Sequence, residues 1–379
     1  MSTNHSIAEI VVGLPVEGPF DYSIPEEWRG CLARGQRVAV SFAHVKRLGV
    51  VVGLKAESSI KSVKPITAVL DEMPLLDEEA LQLAQAVSVR YGCSWGEAVD
   101  LMLPRNLRLP RSSKIQSIAD SILRKKGERL MIRSSSTEAH WPEINKRFKD
   151  ALAEGAGIII LVADTAQIPY VIEKLKGVLP KDVIVHSNER TPKEEFESWK
   201  ALKEGAARVI IGLRTAVFAP VASLGLIVMY DEDNHSFTEE QSPYYQTREV
   251  VLMRSRIECC DAVFVSFSPS VELVHALDAE KISVINVDGE KGPRRQMIDM
   301  TNFASKGPMM ISFPLRNSLE RILGSGGKVM LVINRRGHST FTRCLFCGHV
   351  MRCERCSSNL AYSSVKKKFE CRQCGAVKD

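Results

Sequence analysis

The sequence predicts an α/β protein in three parts: a small N-terminal β-domain, a central lobe built on a parallel sheet, and a C-terminal cysteine-rich module that binds zinc. Three observations carry this. Short apolar runs alternate with amphipathic segments through residues 157–287, the rhythm of βαβ units, which give a parallel sheet with helices on both faces. Residues 1–74 carry only short alternating runs, at 7–12, 37–42 and 48–54, separated by Gly, Pro and charge, as in a small twisted sheet or barrel. Six of the ten cysteines crowd the C-terminal end in CxxC pairs.

A chain of 379 residues has room for two or three domains. At 45% hydrophobic and 25% charged it has the composition of an ordinary globular protein. No apolar run is long enough to cross a bilayer, and MSTNHSIAEI lacks the basic-then-apolar order of a signal peptide, so a cytoplasmic protein without membrane contact is expected. The net charge of +6 permits an anionic partner such as nucleic acid without requiring one. Cys31, Cys93, Cys259 and Cys260 stand among apolar neighbours and are expected to be buried small hydrophobes in a reducing compartment.

After the β-domain, Asp77 can cap a helix over EEALQLAQAVSVRY and Ser94 a second over WGEAVDLML, which Pro104 stops. A domain boundary falls there. Residues 105–126 are basic, with Arg105, Arg108, Arg111, Lys114, Arg124, Lys125 and Lys126. They suit either phosphate contacts or a solvated linker. Strands are expected at 157–163, 183–186, 209–213, 224–230, 262–267 and 282–287, with helices such as PKEEFESWKALKEG and SVELVHALDAEK between them, and a further strand at 329–334. The run 224–230 ends in Asp231-Glu232. Phosphate-transfer proteins hold magnesium on such a pair, outside the carboxyl ends of the strands, although acidic residues there can also be solvated loop positions.

The cysteines read Cys344-x2-Cys347-x5-Cys353-x2-Cys356-x14-Cys371-x2-Cys374. Two thiolates from one tight turn occupy one edge of a zinc tetrahedron, and Cys353, Cys356, Cys371 and Cys374 have the separation of a complete four-sulfur ribbon. Cys344 and Cys347 form a third pair. They share ligands in another pairing, take His349 or a water, or await a pair that is absent. A phosphate-binding loop is harder to find. The glycine-rich stretch 324–328 has Ile322 at the first glycine position and Val329 where a magnesium-binding Ser or Thr should stand. Residues 130–138, where the loop should precede the first strand, contain neither Gly nor Lys. Without glycine the amides cannot easily turn inward, and without lysine the phosphates lose a counter-ion, which argues against ATP hydrolysis.

On these residues the chain resembles the PriA family of bacterial primosomal replication-restart proteins, superfamily 2 DNA helicases. Gly18-Pro19-Phe20-Asp21-Tyr22, GQRVAVSF from Gly35, RLGVVVGL from Arg47 and KPITAVLDEMPLLDEEAL from Lys64 look like its N-terminal DNA-binding domain. VADTAQIP from Val162, Val185-His186-Ser187, ARVIIGLRTAVFAP from Ala207, LGLIVMYDED from Leu224 and SPSVE from Ser268 look like its first helicase lobe, and INRRGHS from Ile333 with the cysteines like the start of its second. The resemblance implies four parts: residues 1–104 binding DNA 3′ ends, 105–128 a basic linker or vestigial winged helix, 129–320 a RecA-like, helicase-like first lobe, and 321–379 the start of lobe 2 with the zinc cysteines. It further implies that Phe20 stacks on a terminal base, Asp21 accepts from the 3′ hydroxyl and Lys64 meets a phosphate. Ala43 replaces a family glycine at that pocket.

The departures from the family bear on activity. Serines at 134–136 replace the phosphate loop, the DEEH box reads Asp231-Glu232-Asp233-Asn234, the SAT motif reads Ser266-Phe267-Ser268, and the later helicase motifs lie beyond Asp379. Asp231 and Glu232 then read as the relic of a nucleotide-magnesium site. The family holds two zinc ions on eight cysteines, so with six one site is complete and a second would need further ligands. The expectation is a monomeric, zinc-containing protein that binds forked and single-stranded DNA, meets primosome proteins and single-stranded DNA-binding protein, and promotes primosome assembly without unwinding. The alternatives are an active ATP-dependent 3′-to-5′ helicase, and a scaffold that binds no DNA.

Overall fold

The computed structural model describes residues 5–112, 115, 127–134, 136–186, 190–287, 296–299, 311–332, 342, 344, 346–363, 367–371 and 373–378. The chain divides into two units, Met1–Pro293 and Arg294–Asp379.

The first unit opens with β1 (Ile7–Val12), β2 (Phe20–Ser23), β3 (Arg37–Phe42), β4 (Val45–Lys55) and β5 (Ala68–Val69). They form an antiparallel sheet in the order β2-β1-β4-β3-β5. Alternating side chains divide it in two. Ala8, Ile10, Val12, Val38, Val40 and Val51 fill a core with Tyr22, Ile24 and Ile66, while Val11, Ala39, Val50 and Val52 face the helices that follow.

Those helices are α1 (Glu78–Tyr91) and α2 (Trp95–Met102). Asp77 caps the first by accepting from the Ala80 amide, and Ser94 with Glu97 forms a capping box on the second. At Gly96 a Cβ would come within 1.7 Å of the Val12 carbonyl oxygen, so glycine is what lets α2 lie directly on β1. The other faces of α1 and α2 pack on the central lobe, and one core runs from Val50 and Leu81 through Val99 to Trp199, Val217 and Val251. Trp199 donates its indole N–H to the Met102 carbonyl at 2.9 Å across this joint.

The lobe comprises β6 (Arg129–Ser134), α3 (Trp141–Ala153), β7 (Gly157–Leu161), α4 (Gln167–Leu175), β8 (Val183–His186), α5 (Pro192–Lys203), β9 (Val209–Gly212), β10 (Leu224–Tyr230), α6 (Thr247–Ile257), β11 (Asp261–Ser266), α7 (Val271–Ala279) and β12 (Ser283–Val287). All its strands are parallel, in the order β12-β6-β11-β10-β7-β9-β8. Ile158, Ile160, Val209, Ile211, Val228 and Val263 face α3 and α4. Ile159, Leu161, Ile210, Ile227 and Phe264 face α5 and α6 on the opposite side. Fully burying one such side chain contributes about 1.5–3 kcal/mol, so a sheet covered on both faces reads as continuous apolar runs. The α/β class expected from the sequence is therefore observed.

Three local expectations are corrected. Residues 129–134 form β6, a strand absent from those expected from the sequence; it pairs with both β11 and β12. Residues 328–332 carry no strand: among the described residues nothing pairs with them, and Met330 and Val332 are exposed; 333 and 334 lie outside the described residues. Of the scattered cysteines only Cys260 is buried, while Cys31 is exposed, following the short helical turn Glu26–Trp28 at the surface.

The second unit contains α8 (Phe313–Gly324) and a small antiparallel sheet of β13 (Leu360–Ser363), β14 (Lys368–Cys371) and β15 (Val377–Lys378). Leu360, Cys353 and Cys371 make its miniature core, with Met351, Phe369 and Ala376 against it.

Candidate functional site

The structure places Phe20 and Asp21 on β2 and joins the Lys64 backbone to Ser23 at the end of that strand, the Ser23 amide donating to the Lys64 carbonyl at 2.9 Å. Phe20 is half-buried and packs edge-on against Phe42 with ring centroids 5.0 Å apart. Lys64 is exposed. The Asp21 carboxylate accepts from Lys55 Nζ at 2.8 Å and Ser58 Oγ at 2.5 Å. Burial opposes its ionisation, but these two donors outweigh it and hold Asp21 below the usual carboxylate range. Ala43 and His44 form the exposed β3-β4 turn at φ 47° and 65°, so the alanine there carries left-handed strain of about 1–2 kcal/mol that glycine would avoid. The sequence reading missed Lys55 and Ser58, whose partners lie more than thirty positions away.

At the carboxyl end of β10 the polar groups are arranged differently. Asp231 stands at φ 64° and accepts from Gln167 Nε2 and Asn234 Nδ2, each at 3.1 Å. Glu232 is buried and accepts from Arg248 Nη1 at 2.6 Å, Ser270 Oγ at 2.6 Å and the Ser270 amide at 3.1 Å. Asp233 accepts from Ser266 Oγ. Where β6 leads into α3, Ser134 and Ser136 close a local turn: Ser134 Oγ donates to the Ser136 carbonyl at 2.6 Å, and the Ala139 amide donates to Ser136 Oγ at 3.2 Å. The space beyond is aromatic. His140 is fully buried against Trp141, Tyr230 and Phe267, Trp141 stacks on Tyr230 at 5.5 Å, and its indole N–H donates to Tyr170 Oη at 3.1 Å. Burial lowers the His140 pKa and keeps the ring neutral. This cluster was not read from the sequence; its signal was the pair Trp141 and Tyr230, each at the boundary of a regular element.

Cys353, Cys356, Cys371 and Cys374 converge, with their sulfurs within 4.8 Å of one another. Tetrahedral zinc with bonds of about 2.3 Å needs sulfurs about 3.8 Å apart, and the closest pairs here stand at 3.6 Å (Cys353 and Cys374) and 3.3 Å (Cys356 and Cys371). The donor set fits a zinc ion. Each CxxC pair sits in the same turn. In the first, the Ser357 amide donates to the Cys353 carbonyl and the Cys353 amide to that of Ser358; in the second, Gly375 donates to Cys371 and Cys371 to Ala376. Ser357 and Gly375 are left-handed, which closes the loop under the sulfurs. Cys344 and Cys347 are exposed and stand outside the cluster, yet their turn is built alike, with Gly348 donating to Cys344 and Cys344 to His349.

The basic segment is divided. Arg105 pairs with Glu195 at 2.7 Å and also donates to the Arg190 carbonyl, and Arg108 donates to the Leu103 carbonyl, so both fasten the chain to its surroundings. Lys114, Arg124, Lys125 and Lys126 lie outside the described residues, as does the motif beginning at Ile333.

Comparison with known proteins agrees with the resemblance. The family described as the 3′DNA-binding domain (3′BD) of PriA matches residues 9–104. The chain is 26% identical over 396 residues to the replication restart protein PriA of Rickettsia conorii, covering 97% of this chain and 60% of that protein. It is 28% identical over 247 residues to that of Bacillus subtilis, covering 64% of this chain and 30% of that protein. The chain thus spans about 60% of the length of the Rickettsia relative. The helicase domain of Pyrococcus furiosus Hef overlaps 42% of this chain and 35% of its own at 13% identity and a TM-score of 0.33, too little to bear on function.

Proposed function

We propose that this relative of the replication restart protein PriA is a DNA-binding factor of replication restart that recognises stalled or abandoned forks and promotes primosome assembly without acting as a motor. The observation that carries the DNA reading is the match of residues 9–104 to the 3′DNA-binding domain, within which Phe20 and Asp21 lie on the edge strand β2 and the Lys64 backbone is bonded to Ser23 at its end. An aromatic face, an ionised carboxylate and an exposed ammonium suit a strand end with its base, 3′ hydroxyl and phosphate. The non-motor reading rests on Glu232, whose oxygens are occupied by Arg248 and Ser270, and on the serine turn and aromatic cluster beside β10. In this reading residues 1–104 bind DNA, 105–128 connect, 129–320 form the helicase-like lobe and 321–379 begin a second lobe. Zinc on Cys353, Cys356, Cys371 and Cys374 supplies structure by tying two turns together, with Cys344 and Cys347 open to a second ion. Forked and single-stranded DNA, primosome proteins and single-stranded DNA-binding protein are its partners, met as a monomer in the cytoplasm. No described helix is long and apolar enough to cross a membrane.

The test is ATP turnover by the zinc-loaded protein with and without forked DNA, with fork binding measured in the same samples. Salt-sensitive fork binding with turnover at background is the expected result. DNA-stimulated turnover would replace this reading with an active helicase, and absence of fork binding would replace it with a scaffold.

A further inference from the structure

The joint between the N-terminal part and the lobe holds a cavity of about 230 Å³. Its floor is apolar: Met102 and Leu103 at the end of α2, Trp199 and Leu202 on α5, Ile210 on β9 and Phe218 are all buried. Its charged lining is mostly cationic, with Arg105, Arg108 and Arg190 against the single acid Glu195. That leaves the lining at +2. Glu195 is already taken by Arg105 at 2.7 Å. Arg108 bonds through Nε to the Leu103 carbonyl, and Arg190 through Nη1 to Ser198 Oγ, so both have neutral acceptors. Among the described residues neither forms an ion pair with a carboxylate. Asp100, which senses the charge of Arg108, and Glu194, which senses that of Arg190, stand outside the lining. Arg190 is half-buried, and burial opposes its charge. Beside it, His186 stands with Nε2 3.2 Å from Thr215 Oγ1, and burial together with Arg190 lowers its pKa, so the ring is neutral.

We propose that this cavity binds a small organic anion, a single carboxylate or phosphate head on an aromatic or branched apolar body, with Arg108 and Arg190 on the head and Trp199 and Phe218 against the body. A guanidinium offers paired donors in one plane, which match either head group. A partly desolvated cation without an anionic partner gains most from one. The volume lies below the roughly 300–1,000 Å³ of sites for drug-sized ligands, so one ring fits and a continuing strand of nucleic acid does not. The place is also apt, because His186 ends β8 and Thr215 follows β9, and open parallel sheets bind ligands outside the carboxyl ends of their strands. Residues 101–108 form one wall and residues 186–220 the other, so an occupant braces the joint. The site stands apart from Phe20, Asp21 and Lys64, none of which lines it.

The experiment uses the full chain and two probes, benzoate and phenyl phosphate, with benzyl alcohol and inorganic phosphate as controls that each lack one half of the chemistry. Binding is read by calorimetry at constant ionic strength and by the rise in melting temperature, for wild type, Arg190→Gln, Arg190→Lys, Arg108→Gln and Ala219→Leu. At least one probe is expected to bind wild type with a Kd of about a millimolar or tighter, as suits a ligand of about ten heavy atoms, and the controls at least about tenfold more weakly. The better probe identifies the head group. Arg190→Gln and Arg108→Gln are each expected to weaken it about tenfold with the unliganded melting temperature unchanged, while Arg190→Lys, which keeps the charge, loses less. Ala219→Leu, which puts a larger side chain into the lining, abolishes binding; should it fail to fold, the two glutamine variants decide. Controls that bind as well as the probes, no binding of either probe at about ten millimolar, or glutamine variants that bind like wild type would each overturn the proposal. Displacement of a bound probe by a stoichiometric single-stranded oligonucleotide would overturn it too, and make the arginines contacts of a strand.

Discussion

The rim of the N-terminal sheet and the carboxyl end of β10 both present acidic residues beside aromatic ones, yet they differ in what is left over. At the rim, Lys64 is exposed, Phe20 is half-buried, and Asp21, its side chain 8% exposed, accepts one bond at each oxygen, from Lys55 and Ser58, and keeps a lone pair on each. At β10, Glu232 is sealed into an ion pair whose two side chains are 4% and 0% exposed, and the aromatic rings stack on one another. A group that must bind something keeps a face or a lone pair in reserve, whereas a group that holds the fold together has none. Carboxylates in the two regions should therefore give opposite phenotypes.

The largest expected effect tests the sealed region. Arg248→Met removes the cation from a buried carboxylate, and breaking one partner of such a pair costs about 3–5 kcal/mol. Thermal unfolding is expected to shift down by several degrees or more, with no change in the affinity of whatever folded protein remains for forked DNA. If stability held while fork binding or ATP turnover collapsed, Glu232 would be a working residue and the contrast would fail.

A middle-sized effect tests the open region. Phe20→Ala removes the ring that would carry a terminal base, a stack worth about 1–3 kcal/mol by alanine substitution. Affinity for a recessed 3′ end is expected to drop about tenfold or more, while affinity for a blunt duplex of the same length stays put. The competing possibility is that Phe20 only packs against Phe42, 5.0 Å away. In that case the melting temperature falls and both DNA affinities change together.

How much of this was legible in the sequence depends on how local each signal is. The cysteine ribbon was readable because each CxxC turn is closed by its own next residues, such as Ser357 and Gly375, and only the pairing of turns is non-local. The covered strands β7, β9 and β10 announced themselves as unbroken apolar runs. β6 did not, because Arg129 and Arg133 interrupt it; the Arg129 guanidinium instead pairs with Glu280 across the sheet edge. Phe20, Asp21 and Lys64 were reached through resemblance, but Lys55 was not, since only the register of β1 against β2 and β4 brings it to Asp21. The Glu232, Arg248 and Ser270 cluster was hidden for the same reason: its members come from three separate parts of the chain, and Arg248 and Ser270 alone read as solvated polar positions.

The smallest expected effect is the one that would do most damage if it failed. Asp231 was the residue on which a magnesium site would depend, yet its carboxylate accepts only from two neutral amides, Gln167 and Asn234, and no cation is paired with it among the described residues. Its backbone is left-handed, a conformation that Asn tolerates nearly as well as Asp. Asp231→Asn therefore keeps the local geometry and one of the acceptor oxygens. It is expected to change stability by less than about 0.5 kcal/mol, as for an ordinary surface substitution, and to leave fork affinity and background turnover where they were. A metal-binding aspartate would behave otherwise, because losing the charge removes the ligand even when the shape is preserved. Should DNA-stimulated ATP turnover exist in the wild type and vanish in Asp231→Asn, the carboxyl end of β10 would have to be counted as a working site, and the distinction between the open rim and the sealed strand end would disappear.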